Sequence, residues 1–122
     1  TTIWERWDGI DENGDFGPAL LEKAAERHVS VLAIKALAWQ PVVDRNNKPY
    51  PNCWYQPIED PELARLAIGY TLDKPVIAAV SPASAKLLML AVEVGLRYQP
   101  LTEAQRAELM QRIEGVPPIF PQ

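Results

Sequence analysis

The sequence predicts an α/β protein that forms part of a parallel (β/α) barrel of the TIM type, with about three strands and four helices. Two nearly continuous apolar runs, at 30–36 and 76–80, lack polar alternation, as expected of parallel strands covered on both faces. Amphipathic helical patterns alternate with these runs, which favours a parallel sheet. The chain has 122 residues, about half of the roughly 250 that a closed eight-stranded barrel requires. We therefore expect residues 1–122 to form a single α/β unit that does not close a barrel alone.

Prolines and capping residues mark the predicted boundaries. Strands are predicted near 2–4, 30–36 and 76–80, and helices near 18–27, 61–71, 82–94 and 103–113. Asp60 and the proline after it are typical of a helix start. Ser81 is expected to begin the third helix directly after a strand, and Gly95 to end it. Thr102 and Gln105 have the spacing of a capping box for the last helix.

Apolar spacing predicts which helix faces enter the core. The predicted stripes are Phe16, Leu20, Leu21 and Ala24 in the first helix, Leu63, Leu66, Ala67 and Tyr70 in the second, and Leu87, Leu88, Ala91 and Val92 in the third. Residues 38–58 show neither helical nor strand periodicity and include four prolines. We expect a long ordered loop there, and loops of this length are usually functional.

Composition excludes several classes of partner. The net charge is −4 and no Lys/Arg cluster occurs, which argues against nucleic acid or an anionic membrane. No apolar run approaches the roughly 20 residues that span a bilayer. Cys53 is the only cysteine and cannot form an intrachain disulfide, so a reducing, cytoplasmic location is expected. The start has neither a Met nor a signal-peptide pattern, which suggests processing or a fragment.

No metal site is predicted. Four residues have part of the spacing of a calcium loop: Asp11, Asn13, Asp15 and Glu22. Phe16 stands where such a loop needs a glycine for its sharp turn. Cys53 and His28 lack any neighbouring ligand at metal-binding spacing.

Several segments, in order, resemble the C-terminal half of the aldo/keto reductases. Residues 15–24 (DFGPALLEKA) and 31–37 (VLAIKAL) resemble the sixth helix and seventh strand of that barrel. The stretch CWYQP at 53–57 is similar to one that precedes the seventh helix in a bacterial branch. The resemblance continues through 61–72 and 75–80 and covers nearly the whole chain.

The resemblance implies an NAD(P)H-dependent oxidoreductase that transfers a hydride to or from a small carbonyl or alcohol substrate. The family's catalytic Asp, Tyr, Lys and His belong to the preceding half, so this chain contributes no catalytic residue and is expected to be inactive alone. It would instead grip NADP (or NAD). The implied cofactor-binding residues are Lys35, Ala36 and Leu37, near the pyrophosphate, and Ser81, Ala83, Ser84 and Lys86, near the adenosine 2′-phosphate. Lys86 is accordingly expected to favour NADP(H). Val80 and Leu90 depart from the Gly and Asn common in the family.

The residues themselves leave alternatives open. Lys35, at the end of an apolar strand, either contacts a phosphate or substrate or extends its ammonium to solvent or a salt bridge. The helix start at Ser81 either binds an anion or is only capped. Trp54 and Tyr55 either line a pocket or pack the long loop, and packing is favoured.

Unpaired strand edges also predict an assembly. The partner would be the missing N-terminal half of the barrel or a second copy of the chain. The rival function is therefore a non-catalytic, barrel-derived binding module or oligomerising fragment.

Overall fold

The computed structural model describes residues 17–117 and Ile119. The described helices are α1 Gly17–Glu26, α2 Pro61–Leu72, α3 Ala85–Leu96 and α4 Glu103–Ile113, and the strands are β1 Leu32–Ala33, β2 Ala38–Pro41, β3 Tyr55–Pro57 and β4 Ala78–Ala79. The predicted strand at 2–4 lies outside the described residues, as do Phe16 and the first three residues of the calcium-like loop. The described part of the chain is thus mixed α/β with two small sheets and no closed barrel.

One sheet is the predicted parallel pair. β1 and β4 pair in parallel, with Leu32 opposite Ala78 and Ala33 opposite Ala79. Both strands are shorter than the apolar runs that predicted them. The expectation that both faces are covered is wrong for the described residues, because Ala33 is buried whereas Leu32 and Ile34 are each 60% exposed. The sheet therefore packs on one face and leaves the other open.

The other sheet is an antiparallel hairpin that the sequence did not predict. Residues 38–58 were expected to contain no strand, yet β2 and β3 pair antiparallel, with an irregularity in register between Ala38 and Gln40. The chain reverses after Lys35, whose carbonyl accepts the Ala38 N–H at 3.0 Å. Strands of four and three residues that contain prolines are too short to show a period. The expectation of an entirely parallel sheet is therefore wrong.

Helix α2 forms the centre of the structure and follows its prediction closely. The Asp60 carboxylate accepts the Leu63 N–H at 2.8 Å, as expected of an N-cap. Leu66, Ala67 and Tyr70 are buried, as their spacing predicted. Both α3 and α4 pack against α2, so this helix joins the sheet region to the C-terminal region.

Helix α3 differs from its prediction in start, end and orientation. It begins at Ala85 with Ser84 as N-cap, three residues after the predicted start, and it ends at Leu96, beyond Gly95. The predicted face is half wrong, because Leu87 is buried whereas Leu88 and Val92 are 44% and 43% exposed. Ala91 contacts the core as predicted, and Leu90 and Val94 contact it in place of Leu88 and Val92. The helix is apolar nearly all round, so spacing alone could not select the buried face.

The first and last described helices also differ in how closely they follow their predictions. In α4 the predicted capping box is present, and Gly115 follows the helix with φ +74°. In α1 Ala24 is buried, but Leu20 of the predicted stripe is exposed. That helix is followed by His28 in the left-handed region, with φ 54°.

Candidate functional site

The candidate site lies at the carboxyl edge of the parallel pair. Ala33 and Ala79 form the last registered pair of β1 and β4. Lys35 and Ser81 follow two residues after them, so the shared strand direction brings both to the same edge. Active and binding sites of parallel α/β proteins are built at this edge. The structure therefore places the two predicted segments next to each other.

Lys35 is the principal charged group of this edge. Its backbone has φ 67°, a left-handed conformation that is uncommon for a residue other than glycine. Its ammonium lies 4.6 Å from the centre of the Tyr55 ring and 5.1 Å from that of Trp54. Within the described ranges no carboxylate forms a salt bridge with it. An ammonium held on two rings and left without a counter-anion can receive an anionic ligand.

Ala36 and Leu37, the other two residues implied at this strand end, belong to the core. Their side chains are buried with Ile58 and with residues of α2. The Leu37 carbonyl accepts the Ile58 N–H at 2.8 Å. These two residues anchor the turn that presents Lys35.

The segment after β4 bends at Ala83 before α3 begins, and the Ser84 N–H donates to the Pro82 carbonyl at 2.8 Å. Ser81 is half-buried, Pro82 is buried and Ala83 is exposed. Ser84 is the N-cap, but its side chain makes no capping hydrogen bond. The first N–H groups of a helix carry partial positive charge and favour anions. The predicted helix start is therefore present but displaced from Ser81 to Ser84.

Lys86 belongs to a cluster that includes two residues missed by the sequence analysis. Its ammonium lies 2.9 Å from Oε1 of Glu59. The Tyr50 hydroxyl donates to the same oxygen, and the Lys86 ammonium lies 5.8 Å from the centre of the Tyr50 ring. No sequence pattern connects these residues, since Glu59 lies in a loop 27 residues before Lys86. We call Tyr50, Glu59 and Lys86 the acid–base cluster.

The hydrogen bonds of this cluster favour its charged state. The Tyr50 hydroxyl, followed by the Lys86 ammonium, lowers the pKa of Glu59. The hydrogen bond with Glu59, followed by that with Tyr50, raises the pKa of Lys86. The bond to Glu59 likewise raises the pKa of Tyr50. At neutral pH the cluster is therefore a carboxylate bound to an ammonium and a neutral phenol.

The neighbouring aromatic residues differ in their burial. Tyr55 is buried in the core with Cys53 and Leu87, and burial raises its pKa to about 12. Trp54 packs edge-on against Tyr55 at 5.5 Å and remains about half exposed. The packing interpretation is thus confirmed for Tyr55, whereas Trp54 remains accessible at the edge.

A shallow groove lies beside the acid–base cluster. Its volume is about 260 Å³, and its walls include Val42, Tyr50, Tyr55, Pro57 and Glu59. The groove is mostly apolar, with the Glu59 carboxylate at its border. Such a groove is typical of small-ligand binding, though it is smaller than most sites for drug-sized molecules.

The described ranges contain no cluster of three or more His, Cys, Asp or Glu side chains that could hold a metal. None of the helices in the described part is long and apolar enough to cross a membrane. No protein-family model, curated protein or solved structure matches this chain.

Proposed function

We propose that this chain is the cofactor-gripping, C-terminal part of an aldo/keto reductase-like oxidoreductase that uses NAD(P)H on a carbonyl or alcohol substrate. The observation that carries the proposal is the convergence of Lys35, Ser81 and the start of α3 at one edge of a parallel strand pair. An ammonium that forms no salt bridge with any described carboxylate and a helix N-terminus are both suited to the pyrophosphate of a dinucleotide.

The open face of the sheet supports the idea of an incomplete barrel. Leu32 and Ala78 form a registered pair on that face, and both are exposed. Ile34 and Val80, two residues further along each strand, are exposed as well. In a closed barrel, side chains at such positions fill the interior. We therefore propose that further strands of the barrel cover this face.

Each part would have a distinct role in the complete enzyme. The nicotinamide would supply the hydride chemistry, and the protein would orient it. Lys35 and the first N–H groups of α3 would together neutralise the pyrophosphate. The proton donor and the other catalytic groups would come from outside these residues.

The test is a titration of NADH and NADPH against the protein expressed from its complete reading frame, monitored by nicotinamide fluorescence. Changing Lys35→Ala should weaken both cofactors about tenfold, because the pyrophosphate is common to both. Lys23→Ala is the matched control, since Lys23 forms an exposed ion pair with Glu26 on α1. The proposal fails if neither cofactor binds, or if Lys35→Ala behaves like the control.

A second candidate is the non-catalytic module that associates through its apolar surfaces. The observation that favours it is the exposed stripe on α3 formed by Leu88, Met89, Val92 and Leu96. Exposed apolar patches of this kind mark interaction sites. A reading frame with enough further residues upstream to complete a barrel of roughly 250 residues would favour the enzyme. A frame of the present length that forms dimers by light scattering would favour the module.

A further inference from the structure

The acid–base cluster bears on which dinucleotide this site would accept. The family resemblance places the adenosine end of the cofactor near Ser84 and Lys86, and there Lys86 was expected to favour a 2′-phosphate. In the structure, however, the Lys86 ammonium is already bound to Glu59 Oε1 at 2.9 Å. The Tyr50 hydroxyl donates to the same oxygen, so two donors hold the carboxylate in place.

A 2′-phosphate would encounter this carboxylate directly. A phosphomonoester carries nearly two negative charges at neutral pH. Binding to Lys86 would bring it against the ionised Glu59, which has two hydrogen bonds that keep it there. The phosphate must either displace Glu59 from both donors or accept repulsion at short range, and both weaken binding.

A ribose that lacks the 2′-phosphate could instead donate hydrogen bonds to Glu59. Both donors bind Oε1, and Oε2 of Glu59 accepts no hydrogen bond from any described residue. A carboxylate oxygen of this kind accepts from the hydroxyls of a vicinal diol, which is how acidic residues recognise the ribose of NAD in dinucleotide sites of other folds. The Glu59 side chain is about half exposed and therefore accessible.

We infer that Glu59, positioned by Tyr50 and Lys86, makes this site select NAD(H) over NADP(H) by accepting the adenosine ribose hydroxyls and repelling a 2′-phosphate. The inference rests on the proposed dinucleotide site. Glu59 is the specificity-determining residue, and Tyr50 and Lys86 are its positioning residues.

The test compares the affinities of NADH and NADPH for the protein from its complete reading frame, by nicotinamide fluorescence. Wild type should bind NADH more tightly. Glu59→Gln removes the charge while retaining an amide of similar shape, and it should shift the affinity ratio toward NADPH by about tenfold. The matched control is Glu62→Gln, because Glu62 forms a similar exposed ion pair with Arg65 on α2.

A second variant distinguishes the effect of the Glu59 charge from the effect of how its side chain is positioned. Tyr50→Phe removes one donor to Glu59 and should shift the ratio in the same direction by a smaller factor, since Lys86 still holds the carboxylate. Raised salt should reduce the shift caused by Glu59→Gln, because the repulsion is screened at an exposed site.

The outcomes separate this inference from the function on which it rests. If both cofactors bind but wild type prefers NADPH, or if Glu59→Gln leaves the ratio unchanged, Glu59 does not select the cofactor and the dinucleotide site stands. If neither cofactor binds, the dinucleotide site itself is refuted, and this inference with it.

Discussion

The two flanks of α2 differ in how fully their apolar side chains are buried and their polar side chains are hydrogen-bonded. On the α4 flank, Leu66, Leu109 and Ile113 are buried together, and Asp73 accepts from Tyr98, Leu101 and Arg106. On the other flank, the open sheet face and the outer stripe of α3 leave large apolar side chains exposed. The α4 flank has the features of a complete hydrophobic core. The second has those of a surface that another part of a protein covers.

The test with the largest expected effect compares the loss of stability on truncating two leucines, one from each flank. Leu66→Ala should lower the free energy of unfolding by about 3 kcal/mol, because it opens a cavity at a fully buried position. Leu88→Ala should lower it by only about 1 kcal/mol in a monomer, since Leu88 is 44% exposed and its loss leaves no enclosed cavity. Urea unfolding of both variants at low concentration provides the measurement. Equal losses would show that the α3 stripe is covered.

The second test compares two ion pairs. Asp73→Ala should lower the unfolding free energy by about 2 kcal/mol, because Arg106 and two other donors lose a buried acceptor. Glu93→Ala breaks only an exposed pair with Arg97 and should change it by less than about 0.5 kcal/mol. Thermal unfolding at matched pH distinguishes the two. A similar loss in both variants would contradict the conclusion that the α4 flank is the completely packed and hydrogen-bonded one.

The third test compares two helix caps. Thr102 accepts the Gln105 N–H at 3.3 Å, and its own N–H donates to the Gln105 side chain at 3.0 Å. Thr102→Ala should therefore lower stability by about 1 kcal/mol. Ser84 makes no capping hydrogen bond through its side chain, so Ser84→Ala should have almost no effect on stability. A comparable loss at Ser84 would show that its hydroxyl does cap α3 in solution.

The smallest expected effect is the pH dependence of the acid–base cluster. The folded pKa of Glu59 is lowered, so its bonds stabilise the protein above the pKa of the unfolded glutamate and are lost as pH falls through the folded value. The stability difference between wild type and Glu59→Gln should accordingly shrink on acidification from about pH 6 to pH 3, across the ordinary glutamate pKa. Unfolding curves at several pH values measure this. A difference independent of pH would mean that the Glu59 charge does not stabilise the fold.

Helix starts that depend on local hydrogen bonds were predicted well. Asp60 and Thr102 were both recognised as N-caps, because a capping side chain reaches only two or three residues along its own chain. Ser84 was missed as the cap of α3, because the Ser81–Pro82 pair has the same signature three residues earlier.

Features that depend on residues distant in sequence were not predictable in the same way. The sequence by itself determined the helices and the two parallel strands, since periodicity and capping act over a few neighbours. Only the tertiary structure decided that Lys35 lies on the rings of Trp54 and Tyr55, and that Glu59 binds Lys86 across 27 residues. It also decided which side of the uniformly apolar α3 is buried. These arrangements join residues that are distant in sequence, and no local pattern encodes them.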